Sequence, residues 1–214
     1  MSTGLRVIAA LFVDPRGAYA GLPDVDLWDE SRDARLYVGP YPVVAHPPCQ
    51  KWCQLAPLNA SRIDGYLVGD DDGCFASAVE SVRRWGGVLE HPAYSLAWSH
   101  FGLPVPGRAG WTSSFDDPGY TTEVAQVAYG HAARKRTWLY CVGTELPRLN
   151  WSEPPATMQV SAFGLTKPGG SRWTYADALD KNKSNYTTPE FRDVLIEMAR
   201  TASRATVLEE IVNS

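Results

Sequence analysis

The chain has 214 residues, 44% hydrophobic and 21% charged, with a formal net charge of −4. Such a length and balance describe a globular protein with room for a sizeable core and exclude a disordered chain. They also argue against a surface coated in positive charge for indiscriminate nucleic-acid binding.

Leu5 to Val13 is a compact apolar run closed by Asp14-Pro15-Arg16-Gly17, which predicts a buried strand and a turn. Val25 to Trp28, among Asp24, Asp26 and Asp29, predicts a second short strand with carboxylates at its end. Pro42 to Ala45 is the third, and it runs into His46-Pro47-Pro48-Cys49-Gln50-Lys51-Trp52. A strand that stops there holds Cys49 on a stiff turn at the sheet's end, where α/β enzymes keep reactive groups.

From Asp72 to Arg84, Phe75, Ala78, Val79 and Val82 recur at helical spacing, with aspartates before them and Gly86-Gly87 after them. This predicts an N-capped, glycine-terminated helix leading straight into a strand at Val88-Leu89-Glu90. A strand, helix, strand crossover is right-handed and parallel, so it brings Cys49 and Glu90 to the same edge of the sheet. Tyr94 to Thr122, rich in Gly, Pro, Trp and Ser, has no steady period and reads as a lid or a covering loop. Thr137 to Val142 predicts another strand, and 144–187 an irregular insertion. Thr188-Pro189-Glu190 opens a final helix, with Thr as cap, Pro at the first position and an acid in the first turn. Phe191, Val194, Leu195 and Met198 form its apolar stripe. The expected architecture is α/β: a Rossmann-like, mostly parallel sheet with flanking helices and long irregular loops. Its core spans 1–143, with a small insertion at 144–187 and a C-terminal helical segment at 188–214.

Charge is uneven along this plan. Residues 1–130 hold 9 Lys and Arg against 15 Asp and Glu, whereas 131–204 hold 11 against 7. The basic second half is either a phosphate-facing surface or a plain solvated one. No apolar stretch is long enough to cross a bilayer, and the start lacks a secretory cleavage pattern, so a cytoplasmic location is expected, without a membrane partner. There the four cysteines, Cys49, Cys53, Cys74 and Cys141, stay reduced and available for chemistry.

The run Pro47-Pro48-Cys49-Gln50 resembles the catalytic loop of the DNA cytosine-5 methyltransferases. Two further matches follow in the family's order: Glu90-His91-Pro92 after an apolar run, and Arg134-Lys135-Arg136 before Leu139-Tyr140-Cys141-Val142-Gly143. The likeness covers about half the chain and is closest to compact, divergent relatives carried by bacteriophages, extending to Tyr129-Gly130-His131 and Thr188-Pro189. It implies a thiolate at Cys49 that adds to the pyrimidine ring, Glu90 holding ring nitrogen 3 and the exocyclic amine, and Arg136 contacting the base. Pro48, Gln50, Arg134 and Lys135 become substrate contacts, the last two toward phosphate. The family has glutamine where Arg134 stands and a second arginine where Trp138 stands.

The same resemblance implies S-adenosylmethionine as cofactor, held by Asp14 and Gly17 after the first strand and by Asp26 or Asp29 after the second. Only about eight residues separate Gly17 from Val25, too few for a crossover helix. Plainer readings stand beside these: a structural cysteine at 49, a turn-capping carboxylate at 90, a surface charge cluster at 134–136. Trp52, Trp98, Trp111 and Trp138 lie near the motifs and are either base-stacking or packing residues. His46, Cys49, Cys53 and Cys74 do not have the spacing of a paired-cysteine zinc site, and no metal is expected. The functional expectation is a cytosine-5 methyltransferase-like enzyme acting on DNA or a pyrimidine nucleotide. Pyrimidine hypermodification with another donor, and a noncatalytic DNA-binding or anti-restriction protein on the same scaffold, remain as alternatives.

Overall fold

The computed structural model describes residues 5–160, 170–172, 174 and 177–203. Its strands are β1 (Ile8–Leu11), β2 (Val25–Trp28), β3 (Val43–Ala45), β4 (Gly87–Pro92), β5 (Thr112–Ser114), β6 (Asp117–Ala125) and β7 (Arg136–Val142). The helices are α1 (Ala56–Ala60), α2 (Cys74–Trp85), α3 (Leu96–His100), α4 (Lys181–Asn185) and α5 (Pro189–Thr201). None of them, among the described residues, is long and apolar enough to cross a membrane.

One sheet runs in the order β2-β1-β3-β4-β7-β6-β5. The first four strands are mutually parallel, and β7, β6 and β5 each run antiparallel to the neighbour before them. The protein is therefore α/β, but its sheet is mixed where a mostly parallel one was expected. The difference arises in 94–122, which read as aperiodic and in fact holds α3, β5 and most of β6. Pro118 and Gly119 lie inside β6 and give it the composition of a turn.

Two apolar layers enclose the parallel half. On one face Phe75, Ala78, Val79 and Val82 of α2 meet Ala9, Leu11, Val43, Ala45 and Leu89. On the other, Phe191, Leu195, Ile196, Met198 and Ala199 of α5 meet Ile8, Ala10, Val44 and Val88. Covering on both faces explains why β1 and β3 read as unbroken apolar runs.

The helix ends follow local chemistry. Asp71 accepts from the backbone N–H of Gly73 (3.1 Å) and Phe75 (2.8 Å) at the start of α2, and Gly86, with φ at 75°, ends it. Thr188 Oγ1 accepts from Phe191 N–H (3.3 Å) to open α5, with Pro189 in the first turn. Between β1 and β2 the chain makes turns without a helix. The layer that such a helix would supply comes instead from α5, whose Arg192 donates to the Ala18 carbonyl (2.8 Å) and ties that loop down. Within 144–187, the described part contains α4 and isolated bridges from Met158 to Ala133 and from Gln159 to Ala178. Residues 161–169, 173, 175 and 176 of that expected insertion, and 204–214 of the expected C-terminal segment, lie outside the described residues.

Candidate functional site

The chain leaves β1 for β2 on one side and later returns to β3 on the other, so strand order reverses between β1 and β3. Ligand clefts of open α/β sheets form at the carboxyl ends of strands at such a reversal. A cleft of about 560 Å³ lies there, walled by the loops after β1 and β3, by Glu90 and Pro92 of β4, by Lys135, and by α4.

Parallel pairing of β3 with β4 aligns Ala45 with Leu89, so both chains emerge at the same edge. Cys49 and Glu90 both line the cleft, as do Pro48 and Gln50. Cys49 is half-buried and follows two prolines. Burial raises its pKa, and the nearby charge of Glu90 raises it further, so the resting group is a thiol.

Glu90 is buried, and both its oxygens have partners. His46 Nδ1 lies 3.0 Å from Oε2, and Gln126 Nε2 donates to Oε1 (3.1 Å) and to Thr137 Oγ1 (2.9 Å). Burial alone would raise the Glu90 pKa. The hydrogen bond and charge of His46, with Lys135 and His91, outweigh it and bring the group down to about 2. An ionised Glu90 accepts only, so His46 carries its proton on Nδ1. In the neutral imidazole Nε2 then accepts from the hydroxyl of Tyr19 at 2.8 Å. Tyr19, from the loop after β1, is buried with that hydroxyl held protonated, by burial first and by Glu90 second.

Lys135 and Arg136 part company just before β7. Lys135 has φ at 36°, a left-handed conformation unusual for a residue with a side chain, and it lines the cleft. Its ammonium donates to the carbonyls of Asn185 (3.3 Å) and Tyr186 (3.1 Å), leaving one N–H for a ligand. Burial lowers its pKa, while Glu90 and Cys49 act in the opposite sense. Phe12, another residue of the cleft, has φ at 60°. Two strained backbones at one cleft are characteristic of a functional site.

Arg136 is not brought to the cleft. Register pairs Glu90 with Leu139 and His91 with Trp138, so alternation puts Arg136 on the face opposite Glu90. There it pairs with Glu123 and lies over the Tyr94 ring, 5.0 Å from its centre. Arg134 points to solvent and pairs with Glu153.

Of the four residues implied for a methyl donor, Asp14 and Gly17 line the cleft, and Asp26 and Asp29 do not. Asp26 accepts from Trp28 Nε1 (2.8 Å) and Arg32 (2.6 Å), and Asp29 from Ser31 (2.7 Å) and the Arg32 N–H (3.0 Å). Asp26 and Asp29 thus lie outside the cleft with their oxygens engaged, and the loop after β1 offers no helix terminus. These residues do not fit a nucleoside methyl donor. The tryptophans of the motif regions are not in the cleft either. Trp52, Trp98 and Trp138 belong to the α2-side core, and Trp111 donates to the Pro147 carbonyl (2.9 Å). The aromatic walls are Phe12, Tyr19 and Tyr186.

Sequence reasoning missed Tyr19, Gln126 and the role of His46. The histidine carried a signal, three residues before Cys49 at a strand end, but its pairing with Glu90 depends on register across two strands. No family model, curated protein or solved structure matches this chain.

Proposed function

We propose that the chain is a pyrimidine-modifying enzyme of the DNA cytosine-5 methyltransferase type, with Cys49 as nucleophile and the parallel half of the sheet as a Rossmann-like frame. The observation that carries this reading is the meeting of Cys49, Glu90 and Lys135 in one cleft at the strand-order reversal. The thiol gives its proton to solvent, the thiolate so formed adds to ring carbon 6, and the electron pair of the carbon 5–carbon 6 bond moves to carbon 5, making it nucleophilic. The free N–H of Lys135 stabilises the charge that builds on the ring oxygen or nitrogen as sulfur adds. Glu90, ionised, takes a donor from the substrate: the exocyclic amine of cytosine suits it, whereas the carbonyl at that position in uracil or thymine repels it. Ring nitrogen 3 falls to Lys135 in this scheme, since an ionised carboxylate has no proton to give it. A base in duplex DNA reaches such a cleft only when extruded from the stack.

S-adenosylmethionine would find Asp14 and Gly17 in the cleft but neither Asp26 nor Asp29. The engagement of Asp26 by Arg32 and Trp28 favours a second reading, in which the same ring activation serves a different donor.

The test is donor-independent. DNA whose cytosines carry tritium at carbon 5 is incubated with the protein, and released tritium is counted. Wild-type protein releases it and Cys49→Ala does not. Release that survives the substitution rejects the reading, as does a wild-type protein that gives neither release nor a covalent adduct with DNA containing 5-azacytosine; mass spectrometry of the product nucleosides then identifies the group added.

A further inference from the structure

We propose that Tyr19, His46 and Glu90 form a proton relay that takes the hydrogen leaving carbon 5, with the Tyr19 hydroxyl as the group that touches the substrate. The inference rests on the proposed pyrimidine chemistry but on different atoms. Three side chains from three segments, the loops after β1 and β3 and the strand β4, join end to end at 2.8 and 3.0 Å, and all three line the cleft. With the imidazole neutral, the acceptor-only carboxylate sets the order of protons: Nδ1–H of His46 donates to Glu90, and the Tyr19 hydroxyl donates to Nε2. The phenol oxygen therefore has its proton turned toward histidine and its lone pairs free for a proton from the substrate.

The step balances. After sulfur has bonded to carbon 6 and carbon 5 has gained its new substituent, or a solvent proton in the exchange reaction, carbon 5 carries one hydrogen too many. That hydrogen passes to the Tyr19 oxygen as the tyrosine's own proton passes to His46 Nε2. The C–H electron pair re-forms the ring double bond and expels the Cys49 thiolate. The net result is an imidazolium beside the Glu90 carboxylate, a pair that the short Nδ1 contact stabilises. Gln126, donating to the other carboxylate oxygen, fixes the direction of the chain and acts as a positioning residue.

Two probes separate this relay from the nucleophile. DNA containing 5-azacytosine has no hydrogen at ring position 5, so its covalent adduct with the protein reports sulfur addition alone. Tritium release from carbon 5 of cytosine reports addition and proton loss together. Tyr19→Phe keeps the ring that packs on His46 and removes only the hydroxyl; His46→Gln is the second variant, and thermal melting checks both folds. The expected result is an adduct yield equal to wild type with tritium release reduced roughly 100-fold or more. Release by folded Tyr19→Phe at the wild-type rate overturns the relay and leaves the Cys49 reading standing. An adduct with no release by wild type does the same. No adduct from wild type overturns the Cys49 reading, and the relay with it.

Discussion

Lys135 and Arg136 are consecutive in the chain yet serve opposite faces of one sheet, the first in the cleft beside Glu90 and the second paired with Glu123. The alternation of β7, in register with β4, separates them. Substitution of each should therefore fail in a different way. Lys135→Met removes a cation whose charge burial already disfavours, so stability holds or rises slightly while tritium release falls about 100-fold. Arg136→Met leaves the buried Glu123 carboxylate without its cation and destabilises by about 3 kcal/mol, the lower end for breaking a buried pair. Its initial rate under folding conditions stays near wild type. Urea titration and tritium counting on both variants check this, and the reverse pattern would return the base contact to Arg136.

The thiol at position 49 gives a prediction that needs no substrate. Burial and Glu90 both hold its pKa above the usual cysteine value of 9.0, so alkylation by iodoacetamide should be slow at neutral pH and climb only at alkaline pH. Glu90→Gln removes the negative neighbour and lowers the thiol pKa. The expected change is a several-fold faster alkylation of Cys49 at pH 8, read by peptide mass spectrometry. An unchanged rate would mean that carboxylate and thiol do not share the cleft.

What the sequence disclosed of this site was what lies within one strand and its following turn. Cys49 and Glu90 were legible because a Pro-Pro stop and a glycine-ended helix each mark a strand end, and the right-handed crossover puts both ends at one edge. The partners of Glu90 were not legible, because they depend on register. His46 comes from β3's end, Gln126 from a turn after β6, and Tyr19 from a loop with no helix to mark it. Arg136 illustrates the converse. A local motif suggested a role, and the alternation of faces along β7, fixed by its register with β4, turns the side chain away from the cleft. Of the antiparallel half β7 was legible, but β6 was hidden for a compositional reason, since Pro118 and Gly119 mask a strand whose other residues are largely buried.

Acid stability should carry the mark of His91. This side chain is fully buried between Phe75 and Trp98, and burial lowers its pKa from 6.5 to about 4. A histidine held neutral in the fold but free to protonate when unfolded stabilises the native state fully above pH 6.5. That contribution is lost as pH falls toward 4, with a slope of about 1.4 kcal/mol per pH unit for the one proton. Glu90, depressed from 4.5 to about 2, adds its own loss below about pH 4.5. His131, also lowered by burial, acts in the same sense as His91. Urea midpoints measured from pH 7 to pH 4 should fall for wild type and fall distinctly less for His91→Phe. Parallel curves for the two proteins would refute the assignment.

The meeting of Cys49 and Glu90 depends finally on a methyl group that is absent. Gly87 opens β4 with φ at 124°, and a Cβ added there would overlap the backbone of Val43, its partner in β3. Backbone cannot move aside as a side chain tip can, so Gly87→Ala must either push the two strands apart or abandon the register. Both outcomes act on the strand pair that delivers the thiol and the carboxylate to one edge. Destabilisation above about 3 kcal/mol is expected, since strain at an incompatible φ adds to the lost pairing. Gly65→Ala is the control: its φ of 72° is also positive, but nothing lies within 4 Å of the added carbon, so only about 1 kcal/mol is at stake. Urea unfolding of both variants decides the matter. If the two lose equal stability, the close approach of β3 and β4 at Val43 is not what holds the cleft together.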